Sequence, residues 1–361
     1  MSSNFGINLK ISIFGQSHSE GLGVVIDGLP AGKKVDIDEI ERFLARRAPG
    51  QSELSTARKE ADKSRILSGI VKGKTCGAPL CAVFENTDAH SADYDIISDI
   101  PRPSHADYPA YVKYGGNNDI RGGGHFSARL TLPLCFAGAV CIGLLRESGI
   151  EVAAHIASIG DVFDEGFDAV NISKKDIEKL RNKENPVLSN ELFEKMTKII
   201  LDAKKSGDSV GGSVECCVLG LPVGLGEPIF DGLENRISSS VFAIPAVKSI
   251  EFGEGIKCSS MLGSQYNDEF YYDGDEVKTR TNRHGGILGG LSSGMPLIFR
   301  VAFKPTPSIA KEQNSVKLST KQNEKLVIQG RHDPCVVLRA VPCVEAAAAI
   351  AIYDLLLGDR R

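Results

Sequence analysis

The segment Gly28-Leu29-Pro30-Ala31-Gly32 recurs in the second half of the chain as Gly220-Leu221-Pro222-Val223-Gly224. Each copy follows a short apolar run, at residues 24–26 and 216–219, which is typical of a strand. Because proline and glycine interrupt regular structure, each copy predicts a strand that leaves its sheet through a tight turn. The recurrence suggests that the chain contains two related halves.

A second pattern recurs in the same order. Gly69, Gly73 and Gly77 before Pro79-Leu80 have the same spacing as Gly286, Gly290 and Gly294 before Pro296-Leu297. Each half then ends in an apolar segment rich in small residues, at residues 129–145 and 339–357, which predicts a closely packed helix. We expect one domain over residues 1–361, made of halves at about 8–150 and 205–358, with an α+β fold that buries helices between sheets. The alternative is that glycine turns resemble each other by chance.

Two amphipathic helices and one connection complete the expected architecture. Residues 36–47 have apolar side chains on one face, acids in the first turn and arginines in the last. Residues 190–205 repeat this pattern and stop before Gly207. The charged segment 160–190 is irregular, so we expect it to be a surface connection between the halves.

The composition is that of a globular protein. Hydrophobic residues make up 42% and charged residues 24% of the chain, which argues against wholesale disorder. The 42 basic and 46 acidic side chains leave a formal charge of -4. This balance argues against a surface that binds nucleic acid throughout, but it permits a local cationic pocket.

Neither a membrane nor an oxidising compartment is indicated. The first ten residues are polar and lack the apolar core of a secretory signal, and residues 130–145 are shorter than the roughly 20 that a bilayer needs. The nine cysteines include no Cys-x-x-Cys pair, and most lie in apolar runs, which favours buried thiols over metal ligands. We expect a cytoplasmic protein without a metal.

Candidate catalytic residues are concentrated in loops. His18 lies in the polar turn Gly15-Gln16-Ser17-His18-Ser19-Glu20, where it could transfer protons near neutral pH or could simply be a surface residue. Arg46 and Arg47 begin a basic loop that continues to Arg58 and Lys59. Compensation of the helix dipole explains one or two of these charges, and the others favour an anionic substrate.

The densest motifs follow. Arg102-Pro103-Ser104-His105-Ala106-Asp107 precedes Arg121-Gly122-Gly123-Gly124-His125-Phe126-Ser127-Ala128-Arg129, whose glycines let the backbone approach a flat or phosphorylated ligand. Lys304-Pro305-Thr306-Pro307-Ser308 and Gly330-Arg331-His332-Asp333-Pro334-Cys335 combine cations, hydroxyls and rigid turns. Asp333 is a candidate acid or base, or the acceptor of an Asx turn. These residues predict an enzyme for a phosphorylated, carboxylated small molecule.

Taken together, the motifs resemble those of the chorismate synthase family over residues 14–356. The resemblance also includes Ile66-Leu67-Ser68-Gly69, Lys113-Tyr114-Gly115 and Gly285-Gly286-Ile287-Leu288-Gly289-Gly290. It implies a β-α-β sandwich, usually a homotetramer, that binds reduced FMN beside 5-enolpyruvylshikimate-3-phosphate. NADPH would be the reductant if the chain reduces its own flavin.

The reaction implied by the resemblance is an anti 1,4-elimination. Phosphate leaves C3 and a hydrogen leaves C6 to give chorismate, the last common step of aromatic amino acid biosynthesis. There is no net redox change, and reduced flavin lends electron density and takes up the hydrogen at N5.

The resemblance also implies residue roles. His18 would protonate the departing phosphate, His105 would stabilise or protonate the reduced flavin, and Asp333 would relay a proton from flavin N5. Arg47, Arg129 and Arg331 would bind anionic groups, and Arg46 and Arg47 lie where nicotinamide dinucleotide contacts are inferred. The flavin-contacting positions are His125, Phe126, Ser127, Pro245, Ala246, Gly289, Lys304, Pro305, Thr306, Pro307, Ser308 and Arg331.

The sequence departs from the family pattern at Gln16, Ser19, Glu53, His125 and Phe126. These positions bear on flavin affinity and, for Glu53, on nicotinamide contact. Two other functions use similar motifs: net reduction by a flavoenzyme with a nicotinamide, and binding of flavin or a shikimate metabolite without turnover. The retained His18, His105 and Asp333 argue against binding alone, which needs no proton-transfer groups.

Overall fold

The computed structural model describes residues 3–50, 54, 62–86, 98–328 and 333–359. Glu53, Arg58, Lys59, Arg331 and His332 lie outside these described residues.

The first sheet has five antiparallel strands in the order β1-β2-β3-β7-β4. A hairpin of two short strands, β5 and β6, precedes β7 along the chain. The strands are β1 (Asn4–Phe5), β2 (Lys10–Gly15), β3 (Gly21–Asp27), β4 (Arg65–Ser68), β5 (Ile70–Val71), β6 (Lys74–Thr75) and β7 (Leu80–Glu85).

The second sheet also has five antiparallel strands, in the order β11-β16-β10-β8-β9, and three two-stranded hairpins accompany it. The sheet strands are β8 (Glu151–Ile159), β9 (Val162–Phe163), β10 (Gly212–Leu219), β11 (Val247–Phe252) and β16 (Leu297–Phe303). The hairpin strands are β12 (Phe270–Asp273), β13 (Glu276–Thr279), β14 (Ile287–Leu288), β15 (Leu291–Ser292), β17 (Gln313–Lys317) and β18 (Gln322–Leu326).

The helices differ widely in length and burial. They are α1 (Ile37–Arg47), α2 (Asp107–Tyr114), α3 (Thr131–Glu147), α4 (Lys174–Arg181), α5 (Asn190–Lys205), α6 (Leu233–Val241), α7 (Gly263–Tyr266) and α8 (Val337–Gly358).

The core is built around α3 and α8, which pack against each other between the two sheets. Both helices are long and apolar enough to cross a bilayer, but they are mostly buried within the fold. A Cβ atom on Gly138 would lie 2.3 Å from the Cα of Ala346, so only glycine permits this close approach. Burial of a large side chain such as Phe136 contributes about 1.5–3 kcal/mol. The predicted α+β class is therefore confirmed.

The N-terminal strands are anchored to the end of α8. The buried carboxylate of Asp354 accepts hydrogen bonds from the backbone N–H groups of Ile7, Asn8 and Leu9, at 2.7–3.0 Å for Oδ1. Arg236 of α6 also contacts this carboxylate.

The two sheets share one internal order. Without the two-residue edge strands β1 and β9, the strand order is β2-β3-β7-β4 in the first sheet and β8-β10-β16-β11 in the second. Along the chain, α1 follows β3 and α6 follows β10, the second strand of each set. The long helices α3 and α8 come after the last strand of each set, β7 and β16. A duplication would produce this order, although the duplication itself stays a prediction.

Most helices expected from the sequence are confirmed, and one segment was misjudged. The predicted helices correspond to α1, which Asp36 caps through a 3.0 Å hydrogen bond from the Glu39 backbone, and to α5. The expectation of an irregular connection over 160–190 is wrong, because this segment contains β9 and α4. Ser173 and Asp176 form a capping box, and Ile177 and Leu180 pack on the second sheet. Two apolar residues in eight gave too weak a periodicity to be recognised.

Candidate active site

A cavity of about 650 Å³ opens where α3 and α8 begin, and both halves of the chain contribute to its wall. This volume lies in the range of small-molecule sites, which is about 300–1,000 Å³.

A glycine loop forms one side of the cavity. Gly122, Gly123 and Gly124 have φ values of 59°, 87° and 55°, a conformation that favours glycine. A Cβ atom on Gly122 would lie 2.4 Å from the ring of His18, and the Ser17 backbone donates to the Gly124 carbonyl at 3.1 Å. His18 therefore lies directly behind Gly122, which forms part of the wall.

Two wall arginines share one carboxylate. Arg47 Nη2 lies 2.5 Å from Asp62 Oδ2, and Arg129 Nη1 donates to Asp62 Oδ1. Burial opposes ionisation of Asp62, but the two guanidinium groups outweigh it and lower the pKa of this carboxyl. The buried Nε of Arg47 has no hydrogen-bond partner among the described residues. Among the described residues, Asp62 is the carboxylate that pairs with both guanidinium groups, an arrangement that favours binding of an anionic ligand.

His105 is held by a second carboxylate. Its Nδ1 lies 2.6 Å from Asp107 Oδ1, and Arg102 binds Asp107 bidentately at 2.7 and 2.8 Å. Burial would raise the pKa of Asp107, but the hydrogen bonds from Arg102 and His105 hold it well below its usual range. Arg102 Nη2 also lies 3.1 Å from Nδ1, but the carboxylate is nearer and only accepts, which favours a hydrogen on Nδ1. Nε2 lies towards the glycine loop, near Gly123.

Asp333 lies on the opposite side, next to the start of α8. Its Oδ2 accepts a 2.6 Å hydrogen bond from Arg339 Nη1, and Arg339 Nε donates to the Arg47 carbonyl at 2.8 Å. Burial lowers the pKa of Arg339 despite this carboxylate. Arg339 therefore links the end of α1 to the turn that carries Asp333.

The segment 304–308 supplies further polar groups. Lys304 Nζ donates to the Ser104 carbonyl at 3.0 Å, and Ser308 Oγ accepts from Arg102 Nη1 at 3.3 Å. Burial, assisted by neighbouring Lys248, lowers the pKa of Lys304. The Thr306 hydroxyl is buried and has no partner within the described part of the chain.

The remaining wall is largely apolar. Phe126, Phe242, Ile244, Pro245 and Ala246 line it, and the Phe126 ring lies 6.4 Å from that of Tyr114.

His125, on the same loop, is tied to the N-terminal strands. Its ring contacts the Gly15 carbonyl at 3.0 Å and the Ser3 hydroxyl at 3.1 Å.

Most predicted site residues meet at this cavity. They are Arg47, His105, His125, Phe126, Ser127, Arg129, Pro245, Ala246, Lys304, Thr306, Pro307, Ser308 and Asp333. Arg46 instead forms a bidentate pair with Glu345, at 2.6 and 3.0 Å. Gly289 lies in the exposed turn between β14 and β15, Pro305 is exposed, and Arg331 lies outside the described residues.

The donor set fits a flat ligand with anionic groups. The cavity combines an apolar wall with a glycine loop whose backbone permits close approach, and the guanidinium groups of Arg47 and Arg129 suit phosphate or carboxylate oxygens. The fold and cavity thus fit the class of layered α+β enzymes that act on anionic small molecules.

Comparison with known proteins identifies the family. The family model for chorismate synthase matches residues 9–357. A chorismate synthase of Korarchaeum cryptofilum is 45% identical over 360 residues, covering 99% of this chain and 98% of that protein. One of Thermococcus kodakarensis is 45% identical over 353 residues, covering 98% and 97%.

A solved crystal structure of chorismate synthase is 27% identical, with a TM-score of 0.75, and the match covers 98% of this chain and 93% of that one. The chain belongs to the chorismate synthase family. Its activity is that of a lyase that removes phosphate from 5-enolpyruvylshikimate-3-phosphate to give chorismate, in the synthesis of aromatic amino acids.

Sequence reasoning missed several residues of the site. Asp62 and Lys248 stand in no recognisable motif, and only the fold brings them to the arginines and to Lys304. Arg102 and Asp107 lie within a quoted motif and Arg339 begins the apolar segment 339–357, but no spacing showed that they hold His105 and Asp333.

Proposed function

We propose that the cavity binds reduced FMN and 5-enolpyruvylshikimate-3-phosphate together. The supporting observation is that the guanidinium groups of Arg47 and Arg129 adjoin an apolar wall and a glycine loop in one cavity. The flavin ring system would lie against Phe126, Pro245 and Ala246. When bound, reduced flavin supplies electron density for phosphate departure and a position for the substrate hydrogen.

The residues of the chain would then divide the proton chemistry. His18, behind Gly122, would donate a proton to phosphate leaving over the glycine loop. His105 would present Nε2 to the cofactor, because Asp107 occupies Nδ1. Asp333 would accept a proton at its carboxylate, and Arg339 would keep that carboxylate in place. Arg47 and Arg129 would hold the substrate anions.

The assembly and reductant belong to the same proposal. Large apolar side chains such as Ile229, Phe230 and Tyr272 are 77%, 82% and 78% exposed, which supports self-association, here into a homotetramer in the cytoplasm. NADPH is the candidate reductant. Arg46 is paired with Glu345, whereas Arg47 lines the cavity. Of these two arginines, Arg47 would therefore be the one that contacts NADPH.

Anaerobic turnover tests the proposal. The chain is incubated with 5-enolpyruvylshikimate-3-phosphate and photoreduced FMN while chorismate absorbance and phosphate release are followed together. We expect both products in equal amounts with no net consumption of reduced flavin. Stoichiometric oxidation of flavin would indicate a reductase, and ligand binding without either product would indicate a binding protein.

A further inference from the structure

Two cysteines meet beside the cavity, one in its wall and one behind it. Cys135 of α3 and Cys343 of α8 are buried, and their Sγ atoms lie 3.7 Å apart. Each lies three residues, about one helical turn, before the point where Gly138 meets Ala346. Because the two backbones nearly touch there, the thiols face each other directly. A disulfide requires the sulfurs to approach to about 2.05 Å, so a small shift of the side chains would join them.

The two thiols differ in environment. Cys343 forms part of the cavity wall, whereas Cys135 lies behind it. The hydrogen bond that Cys135 donates, together with nearby Arg47, lowers the pKa of the Cys343 thiol, and burial raises that of Cys135. A thiol with a lowered pKa that is open to a cavity is the one that reacts first with an oxidant.

We propose that Cys343 and Cys135 form a redox-sensitive pair, in which peroxide entering the cavity oxidises Cys343 and Cys135 then closes a disulfide. In the first step the Cys343 thiolate attacks one oxygen of hydrogen peroxide, giving a sulfenic acid and hydroxide. In the second step the Cys135 sulfur displaces that hydroxyl, and water leaves with the Cys135 proton. Sulfur is oxidised and peroxide is reduced, so atoms and electrons balance.

With reduced flavin bound as in the proposed function, on which this source of peroxide rests, the oxidant would form in the cavity itself. Reduced flavin and dioxygen yield oxidised flavin and hydrogen peroxide, which would form next to Cys343. The disulfide would then stop turnover when the cofactor is being lost to oxygen.

Oxidation would disturb the site through α8. Cys343 Sγ donates to the Arg339 carbonyl at 3.4 Å, and Arg339 holds both Asp333 and the Arg47 carbonyl. Pulling Cys343 towards α3 would displace these groups. Misplacement by about 1 Å can cost up to roughly 100-fold in rate.

The test uses the full chain with exposed Cys76 and Cys258 replaced by serine. After treatment with hydrogen peroxide, proteolysis without reductant and mass spectrometry should find the peptides of Cys135 and Cys343 linked. Turnover should fall roughly tenfold or more, and dithiothreitol should restore it. The linkage is measured without flavin or substrate, so its outcome is independent of the proposed function.

Two variants complete the design. Cys135→Ala should give no linked peptide and should leave a sulfenic acid at Cys343 that dimedone traps. Cys141→Ala, which removes another buried thiol of α3, should form the linked peptide like its parent. The proposal is overturned if Cys343 stays unmodified at peroxide concentrations that oxidise Cys76 and Cys258 in the unsubstituted chain, or if the linked peptide forms without loss of turnover.

Discussion

Two histidines of this chain lie against aspartates in different surroundings. His105 contacts Asp107 through Nδ1 alone, next to the cavity. His155, on β8, is fully buried and lies between two carboxylates, with Nε2 3.0 Å from Glu215 and Nδ1 3.2 Å from Asp164. Arg300 also binds Glu215, at 2.8 Å.

The two histidines differ in how many ring nitrogens contact a carboxylate. Both nitrogens of His155 are committed to carboxylates, and the cluster of two acids, Arg300 and a charged His155 is balanced within itself. His105 commits one nitrogen and keeps Nε2 next to the cavity, where Arg47 and Arg129 share the carboxylate of Asp62. The same pairing therefore joins strands of the second sheet in one place and leaves a ring nitrogen at the cavity in the other.

Replacement of His105 should have the largest effect and tests whether this histidine acts in turnover rather than in stability. His105→Ala should lower turnover by about 10²- to 10⁴-fold, the usual scale for loss of a proton-transfer group, while the thermal unfolding midpoint changes little. Anaerobic turnover with reduced FMN and a thermal melt measure the two effects. A variant that keeps near-normal turnover would remove His105 from the mechanism.

Removal of His155 should have the opposite result. His155→Ala leaves Asp164 and Glu215 buried without their shared partner, which costs about 3–5 kcal/mol of unfolding free energy. The unfolding midpoint should fall by roughly 5 °C or more, whereas turnover per folded molecule should stay close to that of the parent. Strongly reduced turnover in the folded fraction would mean that the two histidines are not functionally distinct.

Asp62 tests whether the arginines need positioning as well as charge. Asn can accept from only one guanidinium and places its amide against the other, so Asp62→Asn should release either Arg47 or Arg129. We expect KM for the substrate to rise roughly tenfold with a smaller change in kcat. Competitive inhibition by inorganic phosphate should weaken in parallel. Tighter phosphate inhibition would show that Asp62 only neutralises charge.

The smallest expected effect is the pH dependence of the His155 cluster. Burial would lower the pKa of His155, but its hydrogen bonds to Asp164 and Glu215 raise it above the ordinary 6.5. A raised pKa gives stability that is complete below the unfolded value and is lost as pH rises through the folded value. The stability difference between the parent and His155→Gln should therefore shrink above neutral pH. Melts over a pH series measure it, and a constant difference would contradict the raised pKa.

The same cluster sets an acid limit. Bonding to His155 lowers the pKa values of Asp164 and Glu215 in spite of burial. Their contribution is present above the unfolded values and is lost as pH falls through the folded ones.

The sequence predicted those elements that depend on local patterns of residues. The helices α1 and α5 and the strands before the two Gly-Leu-Pro turns follow from local periodicity and turn residues, which act within a few positions. The short helix α4 was missed because its stability comes from Ile177 and Leu180 packing on the second sheet, a contact that no local pattern records.

The same limit applies to the site. His18, His105 and Asp333 stand in dense motifs and could be selected from the sequence. Asp62 and the Cys135–Cys343 pair depend on positions far apart in the chain. For Arg46 the motif suggested contact with a ligand, but in the fold its guanidinium group pairs with Glu345.

The contact between α3 and α8 also has a consequence for how the chain folds. The strands and helix of the first half are synthesised long before α8, yet α8 covers α3 and its Asp354 fastens the backbone at Ile7, Asn8 and Leu9. During translation the face of α3 that contacts α8 therefore stays uncovered, and exposed apolar surface of this kind promotes aggregation. These contacts are also far apart in sequence, which slows folding. A nascent chain stalled before α8 should depend on chaperones. Once α8 has left the ribosome, both halves should reach the native state together.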